Sequence, residues 1–373
     1  MTHRYPTFAN DILALFAERE AQLADIGIIQ PADPFLDMAG EDLRRRIFLT
    51  ESETGETLCL RPEFTIPVCR DHIAARAKTP QRYAYLGEVF RQRRQGGAEF
   101  FQAGIEDLGS DNRPQADARS LADAHALLER LLPGRALAVT MGDQALFEAV
   151  LSALGLPSGW QKRLARAFGA PGLLKATLDE LTNPPNGGSL PADLAELVAR
   201  GERSALVAQV TERMEAAGLS PSAGRTPQEI AERLIEKAAL ERVRLSNDAV
   251  AALRKFLALK VPLSEAIARL EAFAGEAGLV LDEALAGFSA RQREIEAAGL
   301  GAARITYDAS FGRPLDYYTG FIFEITVEGE RQPLVGGGRY DRLLTLLGAP
   351  FPIPGIGFSA WLDRIETLRE RAS

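Results

Sequence analysis

Residues Arg82–Leu108 read RYAYLGEVFRQRRQGGAEFFQAGIEDL, and this stretch decides the fold. Its two arms, Arg82–Arg91 and Phe100–Leu108, are rich in aromatic and β-branched residues. The run Arg93–Glu99, with the pair Gly96-Gly97, separates them, so the stretch predicts a β-hairpin with a longish loop. Residues two and four apart share a strand face, which points Gln102, Gly104 and Glu106 the same way. Gly104 would leave an open space between an amide and a carboxylate, a polar slot for a small ligand carrying an ammonium group. A solvent-facing strand side with unrelated polar residues is the plainer alternative. The loop is basic, with Arg91, Arg93 and Arg94 ahead of the glycine pair. Guanidinium forks match phosphate and carboxylate, although a solvated turn would look the same. It is no Walker loop, because no Gly-Lys-Ser/Thr follows.

Upstream, Arg61-Pro62-Glu63-Phe64-Thr65 sets Glu63 beside Thr65 if the segment is extended; a turn or helix start at Pro62 fits equally well. Residues 8–25 carry the spacing of an amphipathic opening helix. Downstream, residues 143–300 are mostly helical and alanine-rich, broken at Asn183–Gly188. Thr226-Pro227-Gln228-Glu229 is a capping box, followed by Ile230 and Leu234. Leu263, Ile267, Leu270 and Ala274 repeat the buried stripe after Pro262, and the zone reads as packed helices without chemistry. Strand texture returns from Ala303, most clearly in Phe321–Val327. Arg313–Gly320 (RPLDYYTG) leads into that strand, and Gly336–Asp341 (GGGRYD) follows it. The glycines allow close approach, as in a turn between sheet and helix, and Tyr318 and Tyr340 could wall an aromatic pocket. Gly355-Ile356-Gly357-Phe358 then leads to a closing helix, Trp361–Arg371, carrying Arg364. Strand-rich ends around inserted helices predict an α+β domain, with 1–142 and 301–373 forming the core sheet and 143–300 a helical middle portion.

Composition bounds the function. The 373 residues are 46% hydrophobic and 25% charged, an ordinary soluble make-up with room for a large core. A net charge of −8 leaves nucleic acid only a local basic patch to bind. Cys59 and Cys69 supply neither a disulfide framework nor zinc spacing, which suits a reducing cytosol. Three scattered histidines argue against a histidine-rich metal site, so no metal or cofactor is expected. No apolar run approaches a membrane span, and the first residues lack a signal peptide, so a cytoplasmic location is expected.

LRPEFT, the FR…QAGIE hairpin, RPLDYYTG, GGGRYD and GIGFSAWLDR occur in that order. Together they resemble the catalytic domain of histidyl-tRNA synthetase, over Pro6–Leu108 and Ala303–Arg364. The resemblance implies a class II synthetase-like core, an antiparallel sheet flanked by helices. It places a histidine pocket on Glu63, Thr65, Gln102, Glu106, Tyr317, Tyr318 and Tyr340, with Arg313 beside it as the adenylation arginine. It places ATP-binding arginines on Arg91 and Arg364. Four departures stand out. Arg93 occupies the position of a synthetase glutamate, the hairpin loop is short and lacks its far arginine, Pro314 replaces a glycine, and Phe101 replaces a histidine. With only nine residues after Arg364, an anticodon-binding domain and tRNA binding are not expected. The pattern is similar to the regulatory subunits of ATP phosphoribosyltransferase, a family related to the synthetase. That implies a non-catalytic partner of the short-form catalytic subunit at the first step of histidine biosynthesis, with feedback by histidine and a homodimer within a hetero-octamer. The alternative is an active ligase forming histidyl-adenylate.

Overall fold

The computed structural model describes residues 5–38, 41–93, 96–182, 190–217, 226–241, 245–301, 304–313, 315 and 317–371. Among these, the strands are β1 Gln22–Leu23, β2 Ile29–Pro31, β3 Leu49–Glu51, β4 Thr57–Leu60, β5 Gln81–Phe90, β6 Glu99–Leu108, β7 Leu137–Asp143, β8 Lys260–Pro262, β9 Ile305–Asp308, β10 Phe321–Val327, β11 Val335–Arg339 and β12 Gly355–Trp361. The hairpin expected from the sequence is β5–β6, paired antiparallel from Gln81↔Leu108 to Phe90↔Glu99. It seeds a nine-stranded sheet in the order β1-β5-β6-β12-β11-β10-β7-β9-β8, and β2-β4-β3 form a small second sheet. The large sheet is mainly antiparallel; β1 joins β5 and β9 joins β7 in parallel. Early and late strands interleave at its centre, where β12 lies between β6 and β11.

Two local expectations are corrected. The opening helix runs only Ala9–Glu18. Glu20 then takes a left-handed backbone (φ 53°), which turns the chain so that Gln22–Leu23 can pair with β5. The glycine run Gly336–Gly338 is no turn: it lies within β11, buried between β10 and β12. Other expectations, at Arg94, Asn183–Gly188 and Pro314, fall outside the described residues.

The chain divides into two compact units. The first comprises 1–150, 168–170 and 255–373 and contains both sheets. The helices Leu263–Ala277 and Asp282–Ala297 belong to this unit, although the sequence suggests counting them with the helical middle. Asp282–Ala297 packs on the helix Arg113–Leu131. Arg291 fixes it there, donating from Nε to Asp117 Oδ2 (2.8 Å) and from Nη1 to Asp143 Oδ2 (2.5 Å). Asp117 also accepts from Arg339 Nε at 2.7 Å, so a buried ion network joins two helices to β7 and β11. The second unit, 151–167 and 171–254, is helical, with Leu194, Leu206 and Ala231 at its centre.

Candidate functional site

Pro62 is followed by a helix, Thr65–Ala74, and this decides how Glu63 is used. Its Oε2 accepts from Thr65 N (2.7 Å) and its Oε1 from Ile66 N (2.9 Å). Of the two readings open in the sequence, the helix start is the one adopted. Glu63 therefore caps the positive end of the helix, while burial raises its pKa above the ordinary carboxylate range. The Thr65 hydroxyl donates to Glu106 Oε1 at 2.7 Å. From the opposite side the Tyr340 hydroxyl donates to Glu106 Oε2.

Glu106 sits on β6 opposite Gly357 of β12. A Cβ at position 357 would run into the Glu106 carboxylate, so only glycine leaves room for it there. Burial pushes the Glu106 carboxyl up to about 8, outweighing the hydroxyls of Tyr340 and Thr65, which act the other way. At neutral pH the Glu106 carboxyl thus keeps its proton. Gln102, on the same strand face, is buried, and its Oε1 has no hydrogen-bond partner among the described residues. The open space expected above Gly104 is absent. Tyr85, its cross-strand partner, fills that space and donates its hydroxyl to Phe358 O at 3.0 Å.

The aromatic wall comes from the segment before β10 and the end of β11. The rings of Tyr317 and Tyr340 meet edge to face at 6.0 Å, and Tyr317 and Tyr318 are tilted at 5.2 Å. Arg313 donates to Glu324 Oε1 at 2.6 Å and lies against Gly336, whose missing side chain leaves room for the guanidinium. Trp361 has Arg364 over its ring at 4.4 Å and Arg313 at 5.4 Å. Arg91 donates from Nε to Pro62 O at 2.6 Å, and burial lowers its pKa to about 10. Arg364 donates to Pro333 O, and burial lowers its pKa too.

Glu63, Thr65, Arg91, Gln102, Arg313, Tyr317, Tyr318, Tyr340 and Arg364 all line one cavity of about 370 Å³. Glu106 stands behind Thr65 and Tyr340 and completes the set. Every site residue singled out in the sequence is therefore brought together. Sequence reasoning missed Glu324, Trp361 and Gly357. Glu324 carried a signal, as the one charge within the apolar run FIFEITV. Gly357 carried none, because its role depends on the register between β12 and β6. The cavity wall carries the unpartnered amide oxygen of Gln102 and the guanidinium groups of Arg91 and Arg313, which suits a small ligand with both a donor and a carboxylate. Arg93, the reversed charge of the loop, covers the Phe100 ring at 3.3 Å and pairs with Asp363 at 2.8 Å. Phe101 packs its ring against Tyr5 at 5.3 Å. Among the described residues no His, Cys, Asp or Glu group is placed to hold a metal, and no helix is long and apolar enough to cross a membrane.

The histidyl-tRNA synthetase family profile matches residues 3–223 and 205–365. A protein of Chelativorans sp. named ATP phosphoribosyltransferase regulatory subunit is 70% identical over 99% of both chains. A protein of the same name from Mesorhizobium japonicum is 65% identical over the full length of both. Among solved structures, an ATP phosphoribosyltransferase regulatory subunit/histidyl-tRNA synthetase from Bacillus halodurans superposes with a TM-score of 0.63, at 20% identity, over 96% of this chain and 77% of that one. A histidine–tRNA ligase subunit from Alicyclobacillus acidocaldarius gives 0.59, at 22% identity, over 100% and 96%. These structures share the class II synthetase fold.

Proposed function

The chain belongs to the ATP phosphoribosyltransferase regulatory subunit family, on a histidyl-tRNA synthetase-like fold, and from that premise we propose how it works. It is a non-catalytic subunit that partners the short-form catalytic subunit at the first step of histidine biosynthesis. The observation that carries this reading is 70% identity along 99% of a chain of that name. Histidine is the ligand of the 370 Å³ pocket, with Glu106, Thr65, Gln102 and Tyr340 reading its nitrogens and Arg313 its carboxylate. What supports this is the enclosed acceptor set and the unsatisfied Gln102 Oε1. Binding there biases the partner's conformational equilibrium, which requires that the two states of the complex hold histidine with different affinity.

Arg91 and Arg364 are remnants of a nucleotide site, each now engaged with a backbone carbonyl. No cofactor and no tRNA enter the reading, and the location is cytoplasmic. The chain works as a single synthetase-like domain and pairs as a twofold homodimer within a hetero-octamer.

The test is titration of the purified chain into the short-form catalytic subunit of the same organism, following phosphoribosyl-ATP with and without histidine. A saturable change in turnover that responds to histidine is expected. No change at any ratio would sink the proposal and direct attention to histidine-dependent pyrophosphate exchange into ATP, the mark of an active ligase.

A further inference from the structure

One acid of the inner pocket has no part in holding histidine. Glu324 lies on β10, directly across from Gly336 of β11, and lines the cavity. Gly336 has no side chain, and Arg313 occupies the space where a Cβ would stand. The register between β10 and β11 thus builds a seat that sets the guanidinium beside Glu324. There Arg313 Nη1 donates to Glu324 Oε1 at 2.6 Å, with the two side chains 10% and 25% exposed. Burial raises the Glu324 pKa, while the charges of Arg313 and Arg364 pull it back down. Arg313 Nε is buried and has no hydrogen-bond partner among the described residues. One nitrogen of the arginine is therefore taken by an internal carboxylate, and another is left as a donor.

This placement bears on any carboxylate that enters. A ligand carboxylate reaching Arg313 meets a cation already neutralised by Glu324, and it stands near a second anion. Both effects weaken its attraction, because a charge-assisted bond draws on the net charge of its donor and like charges repel more strongly in a buried site than in water. A neutral group at the same position escapes that repulsion. We propose that Glu324 is a specificity-determining residue of the pocket, competing with the ligand's carboxylate for Arg313 and so making the pocket tolerant of ligands that lack one. On the histidine reading above, on which this rests, Glu324 holds the affinity down, so that the site empties as free histidine falls.

The experiment titrates the full chain by calorimetry with L-histidine and with L-histidinamide, in which a neutral amide of the same shape replaces the carboxylate. Wild type is compared with Glu324→Gln, a change that keeps an acceptor for Arg313 and removes the charge. Wild type is expected to prefer histidine by no more than about tenfold. Glu324→Gln should tighten histidine without tightening histidinamide, raising that preference by about tenfold or more over wild type. Glu324→Asp, which restores the charge, should bring the preference back towards the wild-type value. A purely structural role for Glu324 would lower both affinities together. That result, or a ratio unmoved in Glu324→Gln, overturns the proposal and leaves the histidine pocket standing. Should Glu324→Gln fail to fold, the wild-type ratio still decides: a preference for histidine well beyond about tenfold overturns the proposal, and one within it supports it. Wild type that binds neither ligand overturns the histidine pocket, and the role of Glu324 with it.

Discussion

Glu106 keeps its proton to about 8, although a free glutamate loses it near 4.5. Between those values the folded chain holds a proton that the unfolded chain has released, so this group's contribution to stability falls as pH rises from 4.5 to 8. Glu106→Gln should flatten urea-measured stability over that window, by up to about 1.4 kcal/mol per pH unit. On the histidine reading, binding releases the same proton. Calorimetry of histidine at pH 7 should therefore give heats that change with the ionisation enthalpy of the buffer, and that dependence should vanish in Glu106→Gln. Gly357→Ala would push the Glu106 carboxylate aside and weaken histidine at least tenfold, read by the same titration. The identities of the pocket residues were legible in their motifs. Their use was less so: Pro62 permits either an extended segment or a helix start, and only the cross-strand register reveals that Tyr85 fills the space over Gly104.

Elements were legible where local chemistry acts alone. The Thr226 capping box forms as expected: Glu229 N donates to Thr226 Oγ1 at 3.2 Å, and Thr226 N donates to Glu229 Oε2 at 2.8 Å. Thr226→Ala should cost about 1 kcal/mol. It should appear as faster amide exchange along Pro227–Glu241, with histidine binding unmoved. The hairpin was read to within a residue at each arm because alternation and a glycine pair specify it without outside help. Elements decided by distant partners escaped. The end of the opening helix depends on β1 finding β5. The run Gly336–Gly338 looks like a turn in isolation and becomes a strand because Arg313 and the Tyr318 ring need its bare surface.

At the scale of the molecule, the buried network of Arg291, Asp117, Asp143 and Arg339 ties helices to sheet. Replacing Arg291 by Met leaves two buried carboxylates short of a partner and should destabilise the sheet-bearing unit by roughly 3–5 kcal/mol in thermal or urea unfolding. None of this was readable beforehand, since 174 residues separate Arg291 from Asp117. The interleaved strand order has one more consequence, for the chain as it is made. β6 is complete at Leu108, but β12, its neighbour in the sheet, begins at Gly355. At about 5–20 residues per second, a ribosome needs roughly 12 to 50 s to deliver the missing strand. Throughout that interval the nascent hairpin shows a bare edge to every other hairpin on the same polysome. The helices of the inserted unit are released meanwhile, so a chaperone that shields the β6 edge during synthesis should matter more to the yield of this protein than one that acts after release.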